Sequence, residues 1–308
     1  MFRYCAPAVI AASLLFARPA AAEITIEKTP QGATVKADGQ PFTEYVTKFG
    51  TSPILYPIVG PTGKAVTRNY PMRDVASEKD RDHIHHRSLW FTHGSVNGID
   101  FWSAGKGRIE HREFVKAEGG PEAVIITRND WLSPDGSQQV CQDERTLKFG
   151  ADAERRWIDF EIALKASNGP VVFGDTKEGT FAVRVPSTMR VDSKLGGHIV
   201  NSEGKTDGAT WGKPAAWVDY FGPVEEETLG IAILNHPTSF RFPTYWHVRT
   251  YGLFAANPFG LHDFTFGKEK GEYTLPAGET LKLRYRVLLH KGDEKAGRVA
   301  EAFAEFAK

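Results

Sequence analysis

The sequence predicts an all-β protein: one large antiparallel β-sandwich with a short C-terminal helix. Three observations carry that expectation. Runs such as Arg156-Trp157-Ile158-Asp159-Phe160-Glu161-Ile162-Ala163-Leu164 alternate apolar with polar residues, the period of a strand with one buried face. Turns rich in Gly and Pro punctuate these runs from Glu23 onward. Only the tail from Asp293 to Lys308 carries apolar residues at helical spacing, at Val299, Phe303 and Phe306.

Taken in order, the chain opens on Arg3, an apolar run from Ala8 to Phe16, and Ala20-Ala21-Ala22 before Glu23. That is the pattern of a secretion signal over residues 1–22, cut after Ala22, which leaves 23–308 as a single exported domain, periplasmic or secreted. The apolar run is too short and too Ala-rich to span a bilayer, and nothing later approaches a span. Ile24 to Glu27 and Ala33 to Lys36 read as a hairpin about Pro30-Gln31-Gly32, followed by strands over Phe42 to Phe49 and Pro53 to Val59 and a Gly60-Pro61-Thr62-Gly63 turn. Arg68 to Asp82 is charged and aperiodic, a long loop of the kind that usually serves function. Strands resume over Arg108 to Lys116, Glu122 to Trp131, Gln138 to Phe149 and Trp157 to Lys165. Pro214 to Tyr220, Leu229 to Leu234, Val248 to Ala255 and Thr280 to His290 complete the set. No fixed-period repeat or low-complexity linker divides the chain.

Bulk composition excludes several classes. Lys+Arg and Asp+Glu are both 38, which argues against a nucleic-acid or anionic-membrane surface. Of the two cysteines, Cys5 leaves with the signal, so Cys141 stands alone in a strand-like run. No intrachain disulfide or Cys-based metal site is then available, and Cys141 reads as an apolar filler.

The chemistry concentrates at Asp82-His83-Ile84-His85-His86-Arg87-Ser88-Leu89-Trp90-Phe91-Thr92-His93-Gly94, which holds four of the ten histidines. An extended stretch would place His83 and His85 on one face and His86 on the other; a turn would let all three converge. Imidazole ligates divalent metals, shuttles protons near neutral pH, or hydrogen-bonds in a polar core. His83 and His85 are the candidate ligands for one divalent metal ion. The Asn97-Gly98 turn folds Asp100 and Trp102 back toward His93, with Asp100 as site residue or turn acceptor.

Two further stretches join this one. Glu178 in Asp175-Thr176-Lys177-Glu178-Gly179 precedes a strand, where a carboxylate can act as general base, metal ligand or hydroxyl acceptor. Asn235-His236-Pro237 ends a strand abruptly, and Tyr245-Trp246-His247-Val248-Arg249 puts His247 and Arg249 on one strand face with Trp246 opposite. Arg249 is a candidate for fixing an anionic or polyhydroxyl ligand. Trp90, Trp102, Trp211, Trp217, Tyr220 and Trp246 lie in or near these polar stretches, and an aromatic face covers the C–H face of a sugar while polar neighbours bind its hydroxyls.

Asp82 to Trp102 resembles the signature of a bacterial family that carries the label PmoA, and Thr176 to Arg184, Trp211 to Gly222 and Gly230 to Gly260 are similar to its other landmarks. The label names a methane monooxygenase subunit, a multi-span membrane protein, and misleads for a chain with no span after its signal. The resemblance implies a secreted or periplasmic protein of carbohydrate breakdown. Tyr273-Thr274-Leu275-Pro276-Ala277-Gly278-Glu279 to His290 is also similar to the last strands of galactose-mutarotase-like supersandwich proteins, which implies a supersandwich fold and a His acid with a carboxylate base.

These readings combine into one expectation. The chain is an exported carbohydrate-active enzyme, lyase or hydrolase, acting on a glycoside or an oxidised (3-keto) sugar. His85, His86, His93, Glu178 and His236 form its catalytic group. Arg87, Trp90, Asp100, Trp102, Trp217, Trp246 and Arg249 bind the substrate. The alternatives are a non-catalytic carbohydrate-binding protein and a sugar mutarotase or epimerase.

Overall fold

Alternating sequence becomes strand almost throughout. A computed structural model describes residues 22–76, 78, 80–103 and 106–308; residues 1–21 of the expected signal lie outside the described residues. β1 (Ile24–Thr29) and β2 (Gly32–Ala37) form the first hairpin, followed by β3 (Gln40–Phe49), β4 (Ser52–Leu55) and β5 (Leu89–His93). β6 (Arg108–Glu118), β7 (Val124–Leu132), β8 (Gln139–Ala151) and β9 (Arg155–Lys165) run as a meander, then β10 (Val171–Phe173), β11 (Gly179–Arg184) and β12 (His198–Asn201). β13 (Trp217–Val224), β14 (Glu227–Asn235), β15 (Tyr245–Val248) and β16 (Leu253–Asn257) precede the one-turn helix α1 (Leu261–Phe264). β17 (Tyr273–Leu275), β18 (Thr280–Lys291) and helix α2 (Val299–Phe306) end the chain.

These strands pair into antiparallel sheets. The first runs β1-β2-β3-β4-β5-β11-β16-β15, the second β12-β13-β14-β18-β9-β8-β7-β6, and β10 with β17 makes a two-stranded ribbon. The two large sheets face each other across an aromatic core, where Phe181 stacks on Tyr285 with centroids 4.7 Å apart and Phe91 on Phe160 at 6.4 Å. Strict alternation in β9 buries Ile158, Phe160, Ile162 and Leu164 there. Helix α2 covers the other side of the second sheet, setting Val299 and Ala302 on Ala232, Leu234 and Leu288. The all-β sandwich with a C-terminal helix is therefore what the chain adopts. No helix among the described residues is long and apolar enough to cross a membrane.

Two expected strands differ. Pro53 to Val59 is a strand only over β4, because Pro57 has no amide to donate to a ladder. Val248 to Ala255 is broken into β15 and β16 by a tight turn: Arg249 N donates to the Leu253 carbonyl at 2.7 Å, and Gly252 takes φ +99.

A buried pair ties the second sheet together. His290 Nε2 donates to Asp219 Oδ1 at 3.1 Å, and both side chains are fully buried. Gly230 makes room for the ring, since a Cβ there would stand 2.1 Å from His290 Cε1. Burial alone would lower the His290 pKa, but the Asp219 carboxylate outweighs burial and raises it. The folded chain thus holds this proton more tightly than the unfolded chain. The pair's stabilisation is complete below the ordinary imidazole pKa, about 6.5, and is lost as pH rises through the raised folded value. Thermal melts across this range should show that loss. Asp219→Asn should flatten it; an unchanged pH slope in the variant would assign the effect to another group.

Candidate functional site

The register of the first sheet lines up one row of side chains on the face turned away from the core. Trp90 lies opposite Ala182, Ala182 opposite Ala255, and Ala255 opposite His247. Directly opposed residues share a face, so Trp90 and His247 stand at the two ends of this row with two alanines between. One step along, Arg184 opposes Leu253.

Over this face folds the histidine segment, and it is a turn. His86 N donates to the His83 carbonyl at 2.9 Å, and His83 takes φ 47. The three rings therefore converge. His83 stacks on His86 at 4.6 Å, His85 meets His86 edge-on at 4.5 Å, and His83 lies 5.7 Å from His85. Aromatic rings enclose them: His86 stacks on Trp90 at 5.4 Å, His83 stacks on Tyr251 at 5.2 Å, and Trp102 lies 5.8 Å from His86.

Two arginines fix the turn. Arg184 Nη2 donates to both carboxylate oxygens of Asp82, at 3.0 and 3.1 Å, and Arg68 donates to the same carboxylate and to the carbonyls of Asp82 and His83. His83 Nδ1 donates to Asp82 Oδ2 at 2.7 Å. Burial alone would raise the Asp82 carboxyl, but Arg184, His83 and Arg68 hold it well below the usual carboxylate range.

His85, His86 and His247 are neutral, and the tautomers of His86 and His247 follow from their partners. Arg184 Nη1 lies 3.2 Å from His86 Nδ1; arginine only donates, so Nδ1 accepts and the ring proton sits on Nε2. Burial, then the Arg184 charge, push His86 well below the ordinary imidazole value. Burial, then His83 and Arg87, lower His85 to about 4. His247 is the opposite case: Nδ1 donates to the Lys177 carbonyl at 2.9 Å, which leaves Nε2 with a free lone pair, and burial lowers its pKa to about 3.

Glu178 opens β11 beside the same face. Its carboxylate lies 3.4 Å from Lys177 Nζ and close enough to Tyr251 to oppose ionisation of that phenol, although burial is the larger cause. Arg249 packs between the rings of Tyr251, at 5.5 Å, and Trp211, at 5.8 Å. Asp100 is a turn acceptor, taking the amides of Trp102 at 2.8 Å and Ser103 at 2.9 Å, and so positions the Trp102 ring. Among the described residues, no acceptor meets the buried Nε1 of Trp90, Trp102 or Trp211, nor Nε of Arg184, and Thr92 Oγ1 is equally without a partner. Buried donors left so are rare and call for a ligand or solvent oxygen.

Several expected members lie elsewhere. Strand alternation sends His93 to the inner face, opposite to Trp90: it sits 5.0 Å from Phe259, Nε2 donates to the Gly174 carbonyl at 2.8 Å, and burial lowers its pKa to about 4. Trp246 alternates with His247 and is likewise core, its Nε1 donating to the Ala215 carbonyl at 3.0 Å. Arg87 turns away from the histidines to hold the β3–β4 corner through the Phe49 carbonyl and the Thr51 hydroxyl. His236 and Trp217 belong to the second sheet. His236 bonds Thr238 and packs edge-on against Phe306 of α2 at 5.0 Å, and Trp217 joins the cluster beneath that helix. As metal ligands His83 and His85 lack a third partner: among the described residues no three His, Cys, Asp or Glu side chains are arranged to hold an ion, and His83 Nδ1 is engaged by Asp82. A groove of about 520 Å³ beside Lys48, Arg108 and Glu110 is lined by none of the histidine turn.

Asp82, Arg68, Arg184, His247 and Tyr251 are the additions to the expected catalytic and binding set, and Trp211 keeps its expected place among the aromatic walls. His247, Arg249 and Tyr251 are spaced by two, so the alternation of one strand continued into its turn was the available signal.

Fold and site together define a β-sandwich protein with a polar, aromatic-walled cluster on one outer sheet face. The chain belongs to DUF6807, a family of unknown function, whose profile matches residues 32–304. That agrees with the expected membership of an uncharacterised family; the PmoA label and a mutarotase relative do not come with it. Comparison with curated proteins gave no match. Among solved structures, a polysaccharide lyase is 13% identical with a TM-score of 0.30 over 91% of this chain, which spans 34% of the lyase's length. The Slr1438 protein from Synechocystis sp. PCC 6803 is 11% identical with a TM-score of 0.20, over 92% of this chain and 100% of that one. At these scores neither likeness carries an argument.

Proposed function

We propose that this protein is an exported carbohydrate-active enzyme that acts on a glycoside or an oxidised (3-keto) sugar by acid–base chemistry of the lyase or hydrolase type. One observation carries the reading: two neutral imidazoles in one turn, His86 with its proton on Nε2 and His85 edge-on to it at 4.5 Å. A neutral imidazole accepts a proton through its lone pair and donates a hydrogen bond through its N–H, so neighbouring rings supply both a base and a donor.

For a 3-keto-glycoside, the lone pair of neutral His85, edge-on to His86 at 4.5 Å, takes the proton on the carbon next to the carbonyl. The C–H electron pair becomes the enolate, and His86 Nε2–H with the Arg184 and Arg249 charges holds the enolate oxygen. Collapse of the enolate breaks the glycosidic C–O bond, and the leaving oxygen takes a proton from the Tyr251 hydroxyl, which burial keeps protonated. His247, with its free Nε2 lone pair, and Glu178 accept from hydroxyls farther along the row. The indole N–H groups without protein acceptors also favour a second reading, a sugar-binding protein without catalysis.

Consumption of a 3-keto-glycoside, followed by chromatography of the released sugar, tests the reading; tight sugar binding with no turnover selects the second one. Because burial lowers His85 to about 4 and His247 to about 3, the rate should stay level below pH 6 and fall only near pH 4. An acid limb at the ordinary imidazole value, about 6.5, would contradict the assigned protonation states.

A further inference from the structure

We propose that the sugar taken by this site carries a carboxylate, as a uronic acid unit does; the inference rests on the carbohydrate reading above and narrows it. The argument is one of charge. Arg68 and Arg184 are both 0% exposed, yet they share a single carboxylate, Asp82. Arg249 lies between two aromatic rings, and among the described residues no carboxylate pairs with it. On the acidic side, Asp100 is engaged by backbone amides, and Lys177 offsets Glu178.

The excess is therefore positive where the groups are most buried. His85 and His86 do not add to it, because burial, and after it neighbouring charge, keeps them neutral. Burying guanidinium charge without a matching anion is costly, and the cost is recovered when an anion binds. A planar guanidinium suits the two oxygens of a carboxylate, and Arg184 Nε is a buried donor with no acceptor among the described residues. Around these charges stand donors for hydroxyls, the indole Nε1 of Trp90, Trp102 and Trp211. Hydroxyl donors arranged about unmatched cations describe an acidic saccharide.

Isothermal titration of the full chain tests this, with galacturonate, glucuronate and mannuronate trimers against neutral galactotriose. At least one acidic trimer should bind about tenfold or more tightly than the neutral trimer, a difference of about 1.4 kcal/mol. That preference should shrink as salt rises from about 0.05 to 0.5 M. Arg249→Gln, which lies outside the Asp82 clamp, should bring the acidic trimer down to the affinity of the neutral one. If that variant melts early, the salt series on the unaltered chain still decides. Equal affinity for neutral and acidic trimers at low salt overturns the charge proposal and leaves the acid–base reading standing. Tight binding of an acidic trimer supports the charge proposal whether or not the trimer is turned over, and the 3-keto-glycoside assay decides the acid–base reading separately.

Discussion

A His86→Asn variant is expected to lose about 10²–10⁴-fold in turnover of a 3-keto-glycoside while melting close to the unaltered chain. The asparagine Oδ1 stands where His86 Nδ1 accepts from Arg184, at 3.2 Å, so the buried guanidinium keeps its partner. Nothing then remains at the position of Nε2. His86→Gln makes the complementary change: its amide nitrogen reaches toward the Nε2 position and should recover part of the rate. Steady-state kinetics on both variants, with a thermal melt for each, separates the lost proton from a lost fold. Unchanged turnover in His86→Asn would take this ring out of the mechanism and leave the enolate beside His85 without its imidazole donor.

The largest expected effect on stability lies far from the site. Asp143 and Arg145, two residues apart on β8, have side chains 0% and 2% exposed and form two parallel bonds at 3.0 Å. Asn129 Nδ2 and Trp131 Nε1 donate to the same carboxylate at 2.6 and 2.7 Å. Asp143→Ala strands the guanidinium and two further donors, and should cost about 3–5 kcal/mol by urea denaturation. Exchanging both charges at once, Asp143→Leu with Arg145→Met, should cost less, because Asn129 and Trp131 still lose their acceptor but no buried charge is left behind. If the single and double variants unfold at the same urea concentration, the penalty is one of packing and the ionic account is wrong.

The fold was legible because alternation and turn chemistry are local. Ile158, Phe160 and Ile162 declare a half-buried strand without reference to any partner. The site was legible only where it is local too. His83, His85 and His86 lie within one turn, so their convergence needed only the choice of turn over strand. Which sheet a strand joins is not written in the strand. β11 inserts between β5 and β16, and that long-range pairing brings Arg184 to Asp82 and His86. The His236 corner looked the same in sequence as the His247 segment, yet its strand, β14, pairs with β13 and β18 in the opposite sheet. His93 was decidable: three residues after Trp90 in one strand, it must face the other way. Arg87 shows the converse limit, since chain neighbours in a tight turn point in different directions.

The clamp of Arg68 and Arg184 on Asp82 has a kinetic consequence. A histidine turn already fastened to the sheet has no ordering entropy left to lose at the moment of encounter. Association should then be governed by diffusion and field rather than by a slow rearrangement, with a single exponential phase whose rate rises linearly with ligand concentration. Releasing the fastening, as Asp82→Asn would, should slow capture before it changes what is captured.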